Sequence, residues 1–240
     1  MSKKVVVLSS GGLDSTTCVG IAVDKVGYEN VSTVSIFYGQ RHEKELQAAQ
    51  KVANHYNVPH YEVDLSSVMQ FSNCNLLAKN DDTIPNKSYA QQIEENGDGR
   101  VSTYVPFRNG LLLSAAASIA DSLYPGEEVV IYYGAHADDT VGSAYADCSL
   151  EFAEAMSKAI TLGTYGKIKV VGPLINMTKE EVVRTGLKLH VPYQLTWSCY
   201  HGGNNACGNC GTCIDRINAF KSNNAIDPIA YDKDPFEDMR

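Results

Sequence analysis

The chain has 240 residues, 44% of them hydrophobic, so it is long enough to bury a core without disulfide bonds. At roughly 150 residues per domain, this length predicts one large domain with an appendage. Lys and Arg number 20 against 28 Asp and Glu, and the formal net charge of -8 argues against a general nucleic-acid binder. The longest apolar runs are too short for a membrane span or a signal peptide, so we expect a cytoplasmic protein with no membrane partner.

Strand and helix patterns alternate at the start of the chain. A continuous apolar run predicts a buried strand over residues 4–9, which a Ser/Gly cluster and a helix over 14–25 follow. Further strands are predicted over 32–38 and 61–65, with an amphipathic helix over 43–56 between them. This order is typical of a doubly wound, mainly parallel α/β sheet of the Rossmann-like kind.

Residues 72–104 interrupt the alternation, because they are polar and show little periodicity. They form either a solvated loop or a segment that covers a substrate. The stretch 109–123 is apolar on nearly every side, which predicts a helix buried in the middle of the molecule. The remaining predicted elements are strands over 128–134 and 168–171 and helices over 150–162 and 178–189, the last with a capping box at Thr178–Glu181.

The Ser/Gly cluster has the chemistry of a phosphate-binding loop. It follows a buried strand and opens a helix, whose first N–H groups are unpaired and carry partial positive charge. Gly11 and Gly12 leave the backbone accessible, and the hydroxyls of Ser10, Ser15 and Thr16 can donate to phosphate oxygens. Neither a Walker A loop nor a GxGxxG fingerprint is present. The alternative is a glycine-rich turn without a ligand. The residues assigned to nucleotide binding are Leu8, Ser9, Ser10, Gly11, Gly12, Leu13, Asp14, Ser15, Thr16, Thr17 and Cys18.

Four of the seven cysteines are clustered near the carboxyl end of the chain. Cys199, Cys207, Cys210 and Cys213 are spaced C-x7-C-x2-C-x2-C, with glycines between them that permit tight turns. This spacing favours one structural tetrahedral Zn²⁺ per chain. A [4Fe–4S] cluster is the alternative, although the x3-C-P continuation typical of ferredoxins is missing. We interpret His201, inside this loop, as a surface residue.

Two of the remaining cysteines lie at or near predicted helices. Cys18 lies in the first predicted helix, where a buried small apolar residue is expected. Cys148 stands at a predicted helix start, where a thiol can have a lowered pKa and act as a nucleophile, the alternative being simple packing. The change in composition after residue 192 divides the chain into a nucleotide-binding α/β domain (1–192), a zinc-binding region with the four clustered cysteines (193–222) and a tail (223–240).

The serine-glycine loop resembles the SGGxDS signature of the PP-loop ATP pyrophosphatases, a superfamily with the HUP type of α/β fold. Six stretches together resemble one family within it, the 7-cyano-7-deazaguanine synthase (QueC) family, over nearly the whole length. They are residues 9–17, 38–42 (YGQRH), 105–109 (VPFRN), 134–139 (GAHADD), 145–148 (YADC) and 196–200 (TWSCY). Phe107 and Ala146 depart from the family pattern, in which a smaller residue and Pro are common at these positions.

The resemblance implies a homodimeric ligase in queuosine or archaeosine precursor biosynthesis. Such an enzyme converts 7-carboxy-7-deazaguanine and ammonia to a nitrile through adenylated carboxylate and amide intermediates, and it releases AMP and pyrophosphate. ATP would bind with Mg²⁺, and Asp14 is the candidate Mg²⁺ ligand, with helix capping as its other role. The residues assigned to catalysis are Asp14, Ser15 and Arg108.

Several polar residues are candidates for substrate binding. Arg108 and Asn109 precede a helix, where the guanidinium can hold a carboxylate or phosphate or else pair with a surface acid. Asp139 and Asp147 can accept hydrogen bonds from a guanine-like ring or cap helices. Tyr38, Gln40 and Arg41 follow the second strand, where they contact substrate or stabilise a loop. Tyr145 completes the substrate set, and His42, His55, His60 and His190 are interpreted as structural.

Three other functions compete with this interpretation. One is a PP-loop enzyme or binding module that acts on RNA and carries a zinc ribbon. Another is a relative that adenylates a different acceptor, and the third is an ATP-binding protein without catalysis. For the metal region, we expect that chelation unfolds the carboxyl-terminal part without directly blocking the phosphate loop.

Overall fold

The computed structural model describes residues 3–40, 43–72, 74, 76–77, 104–139 and 145–240. The predictions for Arg41, for His42 and for most of the segment 72–104 lie outside these residues.

The described strands form one parallel sheet. They are β1 (Lys4–Leu8), β2 (Val31–Phe37), β3 (His60–Asp64), β4 (Val129–Tyr132) and β5 (Ile168–Val171). Their order is β3-β2-β1-β4-β5, and every neighbouring pair is parallel. Because the chain starts in the middle and winds outward in both directions, the predicted doubly wound architecture is confirmed.

Helices cover both faces of this sheet. They are α1 (Leu13–Val26), α2 (Lys44–Tyr56), α3 (Ser66–Met69), α4 (Arg108–Leu123), α5 (Leu150–Gly163), α6 (Lys179–Lys188) and α7 (Gly211–Ser222). The sequence patterns predicted α1, α2, α4, α5 and α6, and the capping box of Thr178 and Glu181 at the start of α6 is confirmed. They did not predict α3 and α7, since α3 is a single turn and α7 begins inside the Cys/Gly-rich region.

Side chains of β1 alternate between two cores. Val5 and Val7 pack with α1 in one buried cluster, whereas Val6 packs with α4 in the cluster on the other face. All three valines are buried, which explains the uninterrupted apolar run.

The prediction that α4 is buried on nearly every side is wrong. Leu113, Ala116 and Ala120 face the sheet and are fully buried, but Ser114 and Ser118 are exposed to solvent. The helix is an outer layer on the sheet, and its alanines allow close approach of the backbones. The apolar composition of this stretch did not distinguish a helix in the centre of the molecule from a helix that covers one face of the sheet.

The carboxyl-terminal region shares its core with the α/β sheet. Tyr193, Phe220 and Phe236 belong to the same buried cluster as α1, and the rings of Tyr193 and Phe220 lie 5.5 Å apart. The division of the chain after residue 192 therefore stays a prediction about its organisation. In the described part of the chain, no helix is both long and apolar enough to cross a membrane.

A buried ion pair fixes α7 to the tail. The Arg216 Nε and Nη2 atoms lie 2.6 and 2.9 Å from the two carboxylate oxygens of Asp227, and both side chains are almost completely buried. Arg216 also donates to the Thr196 hydroxyl at 2.7 Å. This bidentate geometry offsets much of the desolvation cost of both charges.

Replacing one partner of this pair should therefore be costly. We expect Asp227→Ala to lower the free energy of unfolding by about 3–5 kcal/mol, because it leaves the Arg216 charge buried without its counter-ion. The exposed pair of Glu180 and Arg184 in α6 provides the control. Glu180→Ala should lower the free energy of unfolding by less than about 1 kcal/mol in the same urea titration. Equal losses of stability in the two variants would contradict the prediction that the buried pair matters more than the exposed one.

Candidate active site

An open cavity lies at the carboxyl ends of β1, β2 and β4, where open α/β sheets bind ligands. About 1440 Å³ of space free of protein atoms lies in this cavity and at its mouth, including space that is open to solvent. Of the residues predicted to bind nucleotide, Leu8, Ser9, Ser10, Gly12, Asp14 and Ser15 line this cavity.

The serine hydroxyls of the loop between β1 and α1 form one network. The Ser10 N–H donates to the Ser15 Oγ at 3.1 Å, and the Oγ atoms of Ser10 and Ser15 also lie 3.1 Å apart. The buried Ser9 Oγ has no hydrogen-bond partner in the described structure, although its residue lines the cavity. Such a hydroxyl is available to a ligand oxygen, and the unpaired N–H groups at the start of α1 add to this anion-binding surface.

Close packing around the loop depends on two glycines. Gly11 has φ +76°, and a Cβ there would collide with the backbone of α2 at Glu45 and Ala49. A Cβ at Gly134 would lie 3.1 Å from the Ser15 nitrogen, so this glycine lets the end of β4 approach the start of α1.

Five residues predicted to bind nucleotide do not line the cavity: Gly11, Leu13, Thr16, Thr17 and Cys18. The Thr17 hydroxyl instead lies 2.8 Å from the Tyr193 hydroxyl inside the protein. Cys18 is fully buried in the core, and burial raises the pKa of its thiol well above its usual value. The side chains of Thr16, Thr17 and Cys18 lie within α1 and are buried. The assignment of these five residues to nucleotide binding stays a prediction.

Asp14 is held by a lysine that the sequence analysis missed. The Lys179 Nζ lies 2.7 and 2.6 Å from the two Asp14 carboxylate oxygens, and 3.3 Å from the His136 Nε2. Burial raises the pKa of Asp14, but the charges of Lys179 and His136 outweigh it, so the carboxylate is ionised. Lys179 is the first residue of α6, where a cation opposes the helix dipole, and this unfavourable position was the available signal.

Further carboxylates surround this pair. Asp139 lines the cavity, and its Oδ2 accepts the His136 backbone N–H at 3.0 Å. Burial raises the pKa of Asp139 despite the nearby imidazole, and burial likewise raises the pKa of Asp215 on α7. Asp14, Lys179 and these acids make one charged end of the cavity.

Asp147 does not line the cavity, and its role as a substrate contact stays a prediction. Its Oδ2 accepts the Asn109 backbone N–H at 2.8 Å, and its backbone carbonyl accepts the Asn109 side-chain amide at 3.0 Å. The carboxylate thus satisfies an unpaired N–H at the start of α4, which is the alternative role that the sequence allowed.

The lowered pKa considered for Cys148 is also wrong. Burial and the nearby acids Asp139 and Asp147 raise the pKa of this thiol far above its usual value. The Asn109 amide donates to its sulfur at 3.2 Å, and the thiol packs in the core. A protonated buried thiol is a poor nucleophile, so packing accounts for this residue.

The other end of the cavity is aromatic. Arg108 lies at the start of α4, with its guanidinium 5.6 Å from the Tyr38 ring centroid and its Nη1 3.4 Å from the Tyr38 hydroxyl. Tyr145 and Tyr200 line the same cavity, as does Asn109. The alternative that Arg108 pairs with a surface acid finds no support, since no carboxylate of the described residues lies within 4.0 Å of it.

Gln40 has a structural contact in this region. Its Oε1 accepts the Tyr38 backbone N–H at 2.8 Å, which supports the loop-stabilising alternative, although the residue also lines the cavity. Phe107 and Ala146, which depart from the family pattern, do not line it. The Phe107 ring lies 6.0 Å from the Phe152 ring and is mostly exposed.

Glu45, near the start of α2, was not predicted as a site residue. It lines the cavity and is half-buried, and burial raises the pKa of its carboxyl to about 7 against the opposing effect of Arg108. The sequence places Glu45 in an amphipathic helix, and that pattern does not indicate that the side chain faces a cavity.

The four predicted cysteine ligands lie together. Their sulfur atoms are all within 4.8 Å of one another, and the Cys199, Cys210 and Cys213 side chains are buried. Backbone N–H groups point at the sulfurs, for example from Cys210 to the Cys207 Sγ at 3.3 Å. This cluster can hold a metal ion, while His201 is exposed beside it as expected.

The cysteine region contacts the phosphate loop directly. The Trp197 backbone N–H donates to the Gly11 carbonyl at 2.9 Å, and the Trp197 indole donates to the Cys199 carbonyl at 2.9 Å. The Lys44 ammonium of α2 lies 4.2 Å from the Trp197 ring centroid. Trp197 therefore links the cysteine cluster, the serine-glycine loop and α2.

Comparison with known proteins agrees with this arrangement. The family model described as "Queuosine biosynthesis protein QueC" matches residues 4–224. The chain belongs to the QueC family. A 7-cyano-7-deazaguanine synthase of Archaeoglobus fulgidus is 40% identical over 96% of this chain and 91% of that protein. Those of Caldicellulosiruptor saccharolyticus and Pseudoalteromonas atlantica are 42% and 40% identical, over 95% and 97% of this chain and 96% and 100% of theirs.

The raised pKa of Glu45 predicts a stability cost in this QueC family member. Between the ordinary pKa of 4.5 and about 7, the folded state binds more protons than the unfolded state, so this group makes stability fall as pH rises. We expect Glu45→Gln to be more stable than the wild type by about 1–2 kcal/mol at pH 8, and by much less at pH 5. Urea titrations across this range measure it, with the exposed Glu154→Gln as a control that shows no such trend. A constant difference would contradict the prediction.

Proposed function

We propose that the protein is an ATP-dependent ligase that forms C–N bonds and converts 7-carboxy-7-deazaguanine and ammonia to 7-cyano-7-deazaguanine. The main support is that an anion-binding serine-glycine loop and an aromatic, arginine-containing end share one cavity. The relatives named 7-cyano-7-deazaguanine synthase support the same reaction. The product would serve queuosine or archaeosine precursor biosynthesis.

The reaction needs two activations of the same carbon. A carboxylate oxygen attacks the α-phosphate of ATP and displaces pyrophosphate, and ammonia then displaces AMP to give the amide and a released proton. In the second round the amide oxygen attacks the α-phosphate of another ATP and displaces a second pyrophosphate, and loss of AMP and of the two remaining nitrogen protons leaves the nitrile. Each AMP carries away one oxygen of the original carboxylate, which balances both rounds.

The protein's contribution is to place reactants and to stabilise charge. Ser9, Ser10 and Ser15 would donate to the pyrophosphate, and Lys179 would balance the negative charge that grows on the leaving group. Asp14 would hold Mg²⁺ together with the phosphates, since Mg²⁺ in nucleotide sites often takes only one or two carboxylates. Arg108, Asn109, Tyr38 and Tyr145 would contact the second substrate.

The cysteine cluster fits Zn²⁺ best. Zn–S bonds of about 2.3 Å in a tetrahedron place sulfurs about 3.8 Å apart, and the Cys207 and Cys213 sulfurs are 3.9 Å apart. In a [4Fe–4S] cluster each cysteine binds a different corner of a cube, which needs wider spacing than this cluster allows. Four cysteine ligands leave no open position, so the zinc would be structural. We further propose a homodimer in the cytoplasm, where free cysteines are common.

Product analysis tests the proposed reaction. With 7-carboxy-7-deazaguanine labelled with ¹⁸O in its carboxylate, ammonium and Mg-ATP, we expect the nitrile, pyrophosphate and AMP with one label in each AMP. Mass spectrometry checks all three. Labelled AMP with another product would favour a relative with a different acceptor. ADP and phosphate, or no nucleotide cleavage, would refute the proposal, as would tight tRNA binding at moderate salt without nitrile formation.

The Asp14→Ala variant tests the role of Asp14 in the proposed reaction. It should abolish AMP formation with the fold retained, because it removes the partner of Lys179 and the proposed Mg²⁺ ligand. Asp24→Ala, at an exposed position in the same helix, should behave like the wild type.

Metal removal should also affect the serine-glycine loop, because Trp197 connects this loop to the cysteine region. The structure joins the cysteine region to Gly11, so we now expect chelation both to loosen residues 193–213 and to weaken binding of a non-hydrolysable ATP analogue, by about tenfold. Calorimetry with and without a chelator, followed by zinc addition to restore binding, measures this. Unchanged nucleotide affinity in the metal-free protein would show that the two regions are independent, and a brown iron-containing protein would overturn the zinc assignment.

A further inference from the structure

Two opposite charges face the aromatic end of the cavity without meeting. Glu45 comes from the first turn of α2 and Arg108 from the first turn of α4, and both line the cavity. No ion pair within 4.0 Å joins them, yet the Arg108 charge acts on the Glu45 carboxyl and lowers its pKa. The nearest charged atoms of the two side chains are therefore more than 4.0 Å apart.

Neither group has a strong partner elsewhere in the residues that the structure describes. Arg108 makes one long hydrogen bond, from its Nη1 to the Tyr38 hydroxyl at 3.4 Å. The Glu45 carboxylate accepts no hydrogen bond from these residues, and burial raises the pKa of this carboxyl to about 7. Half-buried polar groups without partners are costly, so this pattern is typical of a site that a ligand completes.

The surrounding walls favour a flat aromatic ligand. Tyr38, Tyr145 and Tyr200 line this end together with Arg108, whose guanidinium lies 5.6 Å from the Tyr38 ring centroid. Aromatic side chains and guanidinium groups offer stacking surfaces for a heterocycle. The donors and acceptors on the edge of that heterocycle would then determine which hydrogen bonds it forms with Glu45 and Arg108.

A guanine-like ring has the complementary edge. It presents a ring N–H and an exocyclic amino group side by side, followed by a carbonyl oxygen, which is a donor–donor–acceptor order. We propose that Glu45 accepts from the ring N–H and the amino group of the deazaguanine, while Arg108 donates to its carbonyl oxygen. This inference rests on the proposed function and assigns the substrate-reading residues within it.

The assignment explains how one cavity distinguishes two heterocycles. Adenine presents an amino donor and a ring-nitrogen acceptor on the corresponding edge, so its ring nitrogen would face the Glu45 carboxylate without a proton between them. A mismatch of this kind leaves a buried carboxylate unpaired. Glu45 would thus keep the adenine of ATP out of the deazaguanine position. It also replaces Asp147, whose carboxylate is already used at the start of α4.

The test pairs a variant with a modified ligand. Isothermal titration of the full-length, zinc-loaded protein compares 7-carboxy-7-deazaguanine with its analogue that lacks the exocyclic amino group. The wild type should prefer the first by about ten- to a hundredfold, because the analogue leaves one carboxylate oxygen unpaired. In Glu45→Gln the preference should fall below about threefold, and the KM for the acid should rise while the KM for ATP is unchanged. Glu43→Gln, an exposed neighbour, should retain the wild-type preference.

Binding of a non-hydrolysable ATP analogue shows that each variant is folded. If Glu45→Gln fails this control, Glu45→Asp, which keeps the carboxylate but shortens it, should show a reduced preference with normal nucleotide binding. A wild-type preference in the folded Glu45→Gln protein would overturn the inference, as would a preference lost in Asp139→Asn instead. If the wild type makes the nitrile and the Glu45→Gln variant keeps the wild-type ligand preference, this inference is refuted but the proposed function stands. A wild type that neither binds the acid nor forms the nitrile refutes the proposed function.

Discussion

The structure depends on how the loop between β1 and α1 is held. Two adjacent glycines make this loop conformationally free in the unfolded chain, so an ordered anion site requires restraint from its surroundings. The restraint comes from both sides: the backbone of α2 packs against Gly11, and the Trp197 N–H donates to its carbonyl. The entropy of ordering the loop is thus lost on folding, and a nucleotide would meet a preformed surface.

This restraint makes the cysteine region part of the site. Trp197 and Cys199 share a hydrogen bond, and Arg216 connects Thr196 to the buried Asp227 of the tail. The tail in turn packs in the core beneath α1 through Phe236. A cysteine cluster that is separate from the loop in the sequence therefore supports the loop through a short series of contacts.

The cavity separates two kinds of chemistry along its length. Asp14, Lys179 and His136 concentrate charge next to the helix N-terminus, where phosphates and their cation would be balanced. Glu45 and Arg108 lie among tyrosines at the other end, where charge is sparse and partners are missing. A planar substrate held at the aromatic end can extend a carboxylate toward the charged end. The raised pKa of Glu45 is a cost of keeping this end open to a ligand.

The sequence by itself determined the parts that depend on local pattern. Buried β-branched runs predicted the strands, the serine-glycine turn predicted the loop, and the cysteine spacing predicted the cluster of four cysteines. Together the quoted stretches were specific enough to identify the family. Only the tertiary structure decided which polar groups are already paired: Asp147 is used at a helix start, and Lys179 reaches Asp14 across the fold. It also decided that Cys148 is a buried, protonated thiol and that Glu45 faces the cavity. The pairing and burial of these side chains depend on residues that are far apart in the chain, so a local sequence pattern cannot predict them.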